Sequence, residues 1–369
     1  MDVFDPIAIG GVTVKNRFAR SATWEGMADT PELHGAATPE LIRLMRDLAE
    51  GGTGLLLSSH AYVREDGQAS LKQLGLYDDA LLPGLRGMCE AAHGAGTGTL
   101  VFAQLAHGGV NANASLSGRE PVAPTAMENA RGERARAMTE EDIARLAESF
   151  ADAAKRAKAA GFDGVQIHAA HAYCLGQFLS PHYNRRTDRY GGSAENRARA
   201  PIEVCRAVRG AVGKDYPVIA KINSEDFIDG GLTPSMMVET ALMLESEGLD
   251  AIEMSGGGGP VARWLAYRDF DPRTPEEEVY YRDAARLYKS AVKKMPLLLV
   301  GNIRSLEVAR GLLRDGWADM VSLSRPLIRE PGLVNRWASG ATRRAACVSC
   351  QGCAKLAAAG KGLRCVFTK

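Results

Sequence analysis

One phrase recurs along the chain and constrains the fold more than any other feature: a helix that ends in glycine, followed by a short apolar strand. It reads EGGTGLLLS, AGFDGVQIH, EGLDAIEMS and DGWADMVSLS, at residues 50–58, 160–168, 247–255 and 315–324. Glycine is favoured just past a helix C-terminus because it adopts the left-handed conformation without a Cβ penalty. Each phrase therefore predicts a helix-to-strand connection.

Further apolar runs bring the number of predicted strands to eight. They occupy residues 14–23, 98–105, 216–223 and 295–302. The runs are continuously apolar instead of alternating, which is typical of parallel strands covered on both faces. Helices with recognisable start signals separate them: Thr139 with Asp142, Thr233 before Pro234, and Ser305 before residues 306–313. Eight strands that alternate with helices predict an α/β fold of the (β/α)8 TIM barrel type. A doubly wound open sheet is the alternative, but it needs no eighth strand.

The composition fits one large barrel and limits the partners. The 369 residues are 46% hydrophobic, and 45 basic side chains balance 44 acidic ones. This balance gives no reason to expect a nucleic-acid or membrane partner. The sequence has no apolar run of about 18 residues, and its acidic N-terminus lacks the layout of a signal peptide. We therefore expect a cytoplasmic protein that acts on a small molecule, and the sequence leaves homo-oligomerisation open.

In a TIM barrel, ligands bind at the carboxyl ends of the strands, and polar residues follow these ends here. The ring comprises Gln104, His107, His168, Lys221, Asn223, Gly301, Asn302, Ser324 and Arg325. The loops that contain the last four open into helices, so backbone N–H groups and an arginine converge where barrels commonly hold phosphate. A glycine-rich run at residues 255–260 allows close backbone approach nearby. These loops predict a phosphate-bearing cofactor, and the missing G-x-G-x-x-G after the first strand argues against a Rossmann domain.

The densest group of proton-handling residues is His168, His171 and Tyr173, at the end of the fourth predicted strand. Two such histidines could ligate a metal, but no Asp or Glu lies between them to support the site. They could also be ordinary buried residues. The third interpretation is an anion hole with a proton donor: imidazole N–H groups hold a carbonyl oxygen that gains negative charge, and a phenol supplies a proton. This chemistry suits reduction of a double bond conjugated to a carbonyl, with hydride from a redox cofactor. A flavin mononucleotide would use the predicted phosphate site.

Long stretches of the sequence resemble the old yellow enzyme family of FMN-dependent NADH:flavin oxidoreductases. The central ones are HAAHAY and QFLSPHYNRRTDRYGGSAENR, at residues 168–173 and 177–197. PIAIGGVTVKNRFARSAT, QLAHGG and GNIRSLEVARGLLRDGWADMVSLSRPLI, which begin at residues 6, 104 and 301, are similar to the same family. The resemblance extends over the chain up to about Gly340.

The resemblance implies a role for each matching residue. His168 and His171 would hold the substrate carbonyl oxygen, and Tyr173 would protonate the α-carbon while FMN gives hydride to the β-carbon. NADH or NADPH would reduce the flavin in the same pocket. The implied cofactor-binding residues are the backbone of Ala22, Thr23 and His60 at the isoalloxazine, Gln104 at its pyrimidine edge, Lys221 beside N1 and O2, and Gly301, Asn302, Ser324 and Arg325 at the phosphate.

Three features depart from the family pattern or lie beside it. Trp24 stands where one bacterial branch carries a cysteine that tunes the flavin, so that tuning should be absent. Glu25 is either a carboxylate that recognises substrate or, as we expect, a solvated loop side chain. Residues 107–136 are rich in Gly, Ala and Arg without a clear period, and predict a lid loop over the site.

The seven cysteines are odd in number and unevenly spread, which argues against a disulfide framework. Cys89, Cys174 and Cys205 are isolated and are interpreted as small core residues. The remaining four are Cys347, Cys350, Cys353 and Cys365, with two, two and eleven residues between them. This run suits an iron–sulfur cluster, such as a 4Fe–4S cluster, or a structural zinc, and free or partly oxidised thiols are the third alternative.

The position of these cysteines after the barrel resembles the cluster-binding segment of bacterial 2,4-dienoyl-CoA reductases. Those proteins space the second and third cysteines by three residues and continue into a second flavin and nicotinamide domain. We therefore divide the chain into an FMN-binding TIM barrel at residues 1–340 and a Cys-rich C-terminal segment at residues 341–369. A cluster in this segment would need an external electron donor.

The leading hypothesis for function is an ene-reductase, which reduces the C=C bond of α,β-unsaturated carbonyl compounds through FMN and NAD(P)H. One alternative is a single-domain relative of 2,4-dienoyl-CoA reductase that receives electrons through a C-terminal iron–sulfur cluster. Another is a non-catalytic flavin-binding subunit of an electron-transfer assembly. The same scaffold also supports flavin-dependent dehydrogenation of amines or alcohols, so the fold alone does not set the direction.

Overall fold

Across residues 1–258 and 270–368, which the computed structural model describes, eight parallel strands close into a barrel and confirm the predicted fold. The strands in this described part are β1 (Ile7–Ile9), β2 (Val12–Val14), β3 (Phe18–Arg20), β4 (Leu55–Tyr62), β5 (Leu100–Ala106), β6 (Val122–Ala123), β7 (Met127–Glu128), β8 (Arg134–Ala137), β9 (Gly164–Ala169), β10 (Val218–Asn223), β11 (Ala251–Ser255), β12 (Leu297–Val300) and β13 (Met320–Leu323). The barrel runs β3, β4, β5, β9, β10, β11, β12 and β13, and β13 pairs with β3 to close it. Strands β1 and β2 form a separate antiparallel hairpin.

Three helices begin directly after the predicted start signals at Thr139, Thr233 and Ser305. The helices of the described residues are α1 (Pro39–Glu50), α2 (Leu82–His93), α3 (Ala114–Ser117), α4 (Glu140–Ala160), α5 (Cys174–Leu179), α6 (Ala194–Val212), α7 (Pro234–Ser246), α8 (Arg282–Ala291), α9 (Leu306–Arg314), α10 (Arg325–Arg329), α11 (Leu333–Ala338) and α12 (Gly352–Ala358). Thr139 and Asp142 form a reciprocal capping box at α4, and the Thr233 side chain accepts from Met236 N–H at the start of α7. Gly161 ends α4 with a φ of 96°, as the recurring phrase predicts.

The interior of the barrel is layered because alternate residues of each strand point inward. Its lower layer is apolar and includes Leu57, Phe102, Ile219 and Met320. A Cβ atom at Gly164 would lie only 2.7 Å from the Phe102 ring, so glycine at this position makes room for the aromatic side chain. The next inward positions towards the carboxyl ends are polar, and they support the candidate site.

Strand β4 is irregular at its carboxyl half. It pairs with β5 in regular register as far as Leu57 and Phe102, and the next pair is His60 with Gln104. Two residues of β4 therefore oppose one residue of β5, which defines a bulge. At the bulge, the backbone N–H of Gln104 donates to Ser58 Oγ at 3.0 Å.

The predicted lid loop at residues 107–136 contains a small sheet. Strands β6, β8 and β7 pair in that order within residues 107–137. Ala123 and Ala135 of this sheet belong to an apolar cluster with Ala172, which directly follows His171. This small sheet therefore packs beside the candidate site. Its strands have only two to four residues, which is too short for a period to be recognised in the sequence.

The three isolated cysteines are buried. Cys89, Cys174 and Cys205 are at most 2% exposed and pack in the core, as predicted. Burial raises the pKa of Cys174 and of Cys205 to about 12, so both thiols stay protonated. Within the described part of the chain, no helix is both long and apolar enough to cross a membrane.

Candidate active site

The structure brings His168, His171 and Tyr173 together at the carboxyl end of β9. The ring centroids of His168 and Tyr173 are 4.6 Å apart, and those of His168 and His171 are 5.4 Å apart. His168 is 3% exposed. Its Nδ1 atom is buried and has no hydrogen-bond partner among the described residues. Since buried polar atoms are usually paired, this nitrogen is available to a bound molecule.

A strained turn presents His171. His171 and Ala172 have φ angles of 56° and 54°, in the left-handed region that non-glycine residues seldom occupy. The turn is held because His171 N–H donates to Asn223 Oδ1 at 3.1 Å, and the carbonyl of Ala172 accepts from Asn111 at 2.8 Å. His171 Nε2 lies 2.7 Å from Ser255 Oγ, which fixes the ring. Such strain is concentrated at functional sites, where surrounding contacts enforce it.

The three imidazoles at this mouth are neutral near pH 7. Burial, and secondarily the charge of Lys221, lowers the pKa of His60 to about 4 and that of His171 to about 3. Burial together with the neighbouring His171, His60 and Lys221 places the pKa of His168 well below its ordinary value. A neutral imidazole can still donate one N–H to an oxygen that becomes negative.

Beneath the mouth, a buried ion pair lies inside the barrel. Nζ of Lys221 is 3.2 Å from Oε2 of Glu253 and donates to Ser21 Oγ at 2.8 Å. Burial by itself would raise the pKa of Glu253, but the charge of Lys221 and hydrogen bonds from neighbouring side chains hold that pKa below its ordinary value. Glu253 is therefore charged at neutral pH, and the contact with it holds Lys221 where the resemblance to the family implies the pyrimidine edge of the flavin.

The ion pair belongs to a polar layer across several strands. Gln166 Nε2 donates to Glu253 Oε2 at 3.0 Å, and Ser322 Oγ donates to Glu253 Oε1 at 2.6 Å. Gln104 Nε2 in turn donates to Gln166 Oε1 at 2.6 Å. The predicted Gln104 and Lys221 are thus joined through residues that the sequence analysis did not single out.

A signal for the missed residues exists in the strand periodicity. Gln166, Glu253 and Ser322 each lie two positions before a polar residue at a strand end, namely His168, Ser255 and Ser324. Residues two apart point to the same face of a strand. A polar residue inside an otherwise apolar strand, two positions before a polar residue at the strand end, therefore predicts an inward-facing polar layer.

The predicted phosphate end is formed by the turn after β12 and the start of α10. Gly301 and Asn302 have φ angles of 132° and 59°. Both polar atoms of the Asn302 side chain, which is 5% exposed, lack a partner among the described residues. Beside this turn, at the ends of the neighbouring strands β3 and β13, Thr23 Oγ1 lies 2.8 Å from Ser324 Oγ. Arg325 begins α10 and lies half-buried beside them.

One part of the phosphate prediction is wrong. The N-terminus of α9 is already occupied, because the Glu278 carboxylate accepts from the backbone N–H groups of Arg304 and Ser305, at 2.7 and 3.1 Å. The Arg304 side chain turns away and donates to Ser349 Oγ at 3.0 Å. A buried carboxylate can replace an anion at a helix N-terminus, so only the Gly301–Asn302 turn and the β13 side remain for a phosphate.

The expectation for Glu25 is also wrong. This residue is 1% exposed, and its Oε1 lies 2.6 Å from the guanidinium of Arg20, which is 2% exposed. Arg20 also donates to the carbonyl of Leu57 at 2.9 Å. The pair ties the loop after β3 to the barrel wall, so the Glu25 side chain is not solvated. Trp24 is held at the loop surface by a bond from Nε1 to the carbonyl of Leu71 at 3.1 Å.

The four C-terminal cysteines line one cavity, together with Arg325 and Arg329. All four are unpaired, and Cys350 is exposed. Arg329 Nη1 lies 3.5 Å from Cys365 Sγ. In the described residues, no group of three or more His, Cys, Asp or Glu side chains is arranged around a point that could hold a metal ion. Arg325 connects this cavity with the phosphate end, because it begins α10 directly after Ser324.

These features fit a bound flavin mononucleotide. Polar atoms without a partner among the described residues occur at the ends of three strands, on His168, Ser224 and Asn302. Lys221 supplies a fixed positive charge within the barrel, and the Gly301–Asn302 turn supplies an unfilled polar site at the other end. The ring system of FMN needs polar partners and a cation at its pyrimidine edge, and its phosphate needs hydrogen-bond donors, so both ends of the site suit this cofactor.

The comparisons with known proteins agree. The model of the NADH:flavin oxidoreductase / NADH oxidase family matches residues 2–343. A metal reductase from Desulforamulus reducens is 36% identical over 95% of this chain, which spans 51% of that protein. The solved structure of 2-naphthoyl-CoA reductase with 2-naphthoyl-CoA has a TM-score of 0.90 and 30% identity, over 100% of this chain and 57% of that one. An old yellow enzyme homologue from Zymomonas mobilis has a TM-score of 0.78 and 29% identity, over 93% and 94% of the two chains.

The chain thus spans about half the length of the metal reductase and nearly the full length of the old yellow enzyme homologue. The match to the family model covers the barrel and ends before the cysteines that begin at Cys347. The predicted resemblance to the old yellow enzymes is therefore confirmed, whereas the likeness of the C-terminal segment to 2,4-dienoyl-CoA reductases stays a prediction. This chain belongs to the NADH:flavin oxidoreductase / NADH oxidase family, whose old yellow enzymes are FMN-dependent oxidoreductases.

Proposed function

We propose that the protein uses FMN and NADH or NADPH to reduce the C=C bond of α,β-unsaturated carbonyl compounds. The observation that carries the proposal is the cluster of His168, His171 and Tyr173, in which a buried imidazole nitrogen of His168 has no partner among the described residues. A purely structural histidine would satisfy that atom, since leaving it unpaired costs about 1–3 kcal/mol.

His168 holds the substrate through its Nδ1–H, which donates to the carbonyl oxygen. The neutral state of the ring suits this task, because the N–H bond strengthens as negative charge develops on the oxygen and no proton is lost to it. His171 takes the second position at the same oxygen, with its ring oriented by Ser255. Tyr173, whose ring is 4.6 Å from that of His168, then protonates the α-carbon.

FMN would be held along the polar layer. Gln104 and Lys221 would bind the pyrimidine edge, the backbone at Ala22, Thr23 and His60 would contact the ring system, and Gly301, Asn302, Ser324 and Arg325 would bind the phosphate. When bound, FMN supplies the hydride that no side chain can donate. The fixed Lys221–Glu253 pair keeps a cation at the ring without leaving an uncompensated charge inside the barrel.

The relatives support a conjugated carbonyl as the substrate class. The related structure with the higher TM-score of the two is named as a 2-naphthoyl-CoA reductase and holds 2-naphthoyl-CoA, in which a thioester carbonyl is conjugated to a ring. The chain matches that protein over its whole length, but it spans only 57% of it. The proposal is therefore limited to the chemical class of the substrate.

Separate measurement of the two half-reactions tests the proposal. Tyr173→Phe, in FMN-saturated protein, should slow reoxidation by a cyclic enone by about 100-fold, within the range for loss of a general acid. Flavin reduction by NAD(P)H should change by less than about threefold, because that step needs no proton from Tyr173. Equal loss in both half-reactions would remove the proton-donor role, and wild-type protein that fails to reduce any enone would favour the non-catalytic subunit.

A second candidate function is supported by the C-terminal segment. The four cysteines line one cavity next to Arg325, which borders the phosphate end. The naphthoyl-CoA reductase matches 100% of the chain and so includes this segment, whereas the old yellow enzyme homologue matches 93%. We propose that Cys347, Cys350, Cys353 and Cys365 hold an iron–sulfur cluster that receives electrons from an external donor, with zinc or free thiols as the competing states.

An anaerobic absorption spectrum with iron and zinc assays decides between these states. About four irons per chain and a broad shoulder beneath the flavin bands would support the cluster. Cys353→Ser should then lose iron, while Cys89→Ser, which changes a core cysteine, should keep it. One zinc and no iron would support a structural site, and neither metal would leave free thiols. All seven cysteines are unpaired, which is in keeping with the reducing cytoplasm that we propose as the location.

A further inference from the structure

The side chain of His60 is turned into the barrel by the bulge in β4. Leu57 belongs to the interior apolar layer, so strict alternation would point residues 59 and 61 inward and residue 60 outward. The extra residue between the Leu57 and His60 pairings reverses this pattern. Bulges commonly re-aim a side chain next to an active site. His60 therefore reaches the mouth because of a local irregularity of the strand.

The ring of His60 contacts Tyr173 directly. His60 Nε2 lies 3.0 Å from Tyr173 Oη, and the ring centroids are 5.3 Å apart with an interplanar angle of 83°. The backbone of His60 is fixed as well, because its carbonyl accepts from Gln73 Nε2 at 2.9 Å. His60 is 8% exposed, so little water competes for the hydrogen bond. The implied backbone contact with flavin does not account for this side-chain geometry.

The direction of this hydrogen bond decides what Tyr173 can do. His60 is neutral at pH 7, because burial and Lys221 lower its pKa to about 4, so its ring carries a single proton. With the proton on Nδ1, Nε2 would accept the phenolic O–H and turn it away from a substrate held by His168. With the proton on Nε2, His60 donates to Tyr173 Oη, and the phenolic O–H can point towards a substrate held by His168.

We propose that His60 is a positioning residue that donates its Nε2–H to Tyr173 Oη and stabilises the phenolate left by proton transfer; this rests on the proposed function. In the step, the O–H bond of Tyr173 breaks, a C–H bond forms at the substrate α-carbon, and the negative charge remains on Oη. A preorganised donor at a developing charge lowers the barrier. A proton from solvent then restores the phenol. Lys221 also lowers the pKa of His60, the ring centroid of His168 is 6.3 Å from that of His60, and His171 interacts electrostatically with His60 as well.

Paired substitutions separate the hydrogen bond from the shape of the side chain. His60→Leu removes the donor, and His60→Gln keeps an N–H that can reach Oη. In His60→Leu the ratio of the enone rate to the NAD(P)H rate should fall at least tenfold, and the basic limb of the enone pH profile should move at least one unit higher. His60→Gln should restore the rate ratio to within about threefold of wild type, a margin below 1 kcal/mol, and should return the basic limb to within about half a pH unit of its wild-type position. Equal ratios and profiles in all three proteins would overturn the proposal.

A spectroscopic titration tests the same hydrogen bond without turnover. Phenolate absorption of FMN-loaded protein, with the Tyr173→Phe spectrum subtracted, gives the pH at which Tyr173 ionises. That pH should rise by at least one unit in His60→Leu. If the leucine variant does not fold, His60→Met takes its place in the titration. An unchanged titration would refute the role of His60 even if the enzyme reduces enones. If the titration shifts but the wild-type protein reduces no enone, the hydrogen bond from His60 is supported and the proposed reaction is wrong.

Discussion

Nζ of Lys221 lies 3.2 Å from Oε2 of Glu253, and these two side chains, which are 3% and 0% exposed, form an ion pair inside the barrel. The pairing follows from strand register, because the two residues are direct neighbours on β10 and β11. Gln166 and Ser322 satisfy the remaining positions on the carboxylate. The floor of the candidate site is therefore polar, and the opposite charges of its ion pair offset each other.

Glu253→Gln should destabilise the protein strongly. The substitution keeps the shape of the side chain but leaves the Lys221 ammonium buried without its counter-charge, which costs about 3–5 kcal/mol. Ser322→Ala is the matched control, because it removes only one hydrogen bond to the same carboxylate and should cost about 1 kcal/mol. Urea unfolding measures both free energies. Equal losses in the two variants would show that the charge of Lys221 is compensated elsewhere.

His168→Ala should weaken binding of phenols, which imitate the enolate of a reduced enone. The Nδ1 atom that has no partner among the described residues supplies one hydrogen bond, worth about 1 kcal/mol, or roughly fivefold in affinity. Flavin absorbance reports phenol binding by titration. His93→Ala is a suitable control, because this exposed histidine pairs with Asp163 before β9, at the opposite end of that strand. Unchanged affinity in His168→Ala would remove His168 from the oxyanion site.

Stability should fall as the pH drops from about 6.5 towards 4. In the unfolded chain the histidines gain a proton near pH 6.5, whereas burial and Lys221 lower the folded pKa of His60 to about 4 and of His171 to about 3. The unfolded state thus binds more protons in this window, and each imidazole contributes a loss of up to about 1.4 kcal/mol per pH unit. Urea unfolding at pH 7 and pH 5 should show the loss. His171→Asn, which cannot titrate, should reduce it, and an equal loss in that variant would contradict the assignment.

Asn302→Asp should weaken FMN binding more than riboflavin binding. Asparagine and aspartate both tolerate the φ of 59° at this position, so the backbone turn should survive. The new carboxylate would repel the phosphate that the Asn302 amide is proposed to bind, and FMN affinity should fall at least tenfold. Riboflavin, which lacks the phosphate, should lose less than about threefold in affinity, below 1 kcal/mol. Asn302→Gly tests loss of the amide without added charge, and equal losses for both ligands would place the phosphate elsewhere.

Local sequence patterns were sufficient to predict the barrel and the location of its site. Glycine after a helix and a continuous apolar run each depend on residues close in sequence, so the eight strands and the caps at Thr139 and Thr233 could be predicted without the structure. The rule that ligands bind at the carboxyl ends of barrel strands then places His168, His171, Tyr173, Gln104 and Lys221 around one mouth. The structure brings these residues together as expected.

The contacts that give these residues their chemistry are long-range and could not be predicted from local pattern. Lys221 and Ser21 are 200 residues apart in sequence, and the partners of Glu253 come from three other strands. The bulge that turns His60 inward and the carboxylate of Glu278 at α9 likewise depend on neighbours distant in the chain. Arg20 lies only five residues before Glu25, but the burial of this pair depends on the barrel wall around it and leaves no local sign in the sequence. The sequence by itself determined the order of the elements and the mouth at which they end, since these follow from short-range periodicity and chain topology. Only the tertiary structure decided which polar groups are paired, neutral or left for a ligand, because pairing and burial are properties of strands brought side by side.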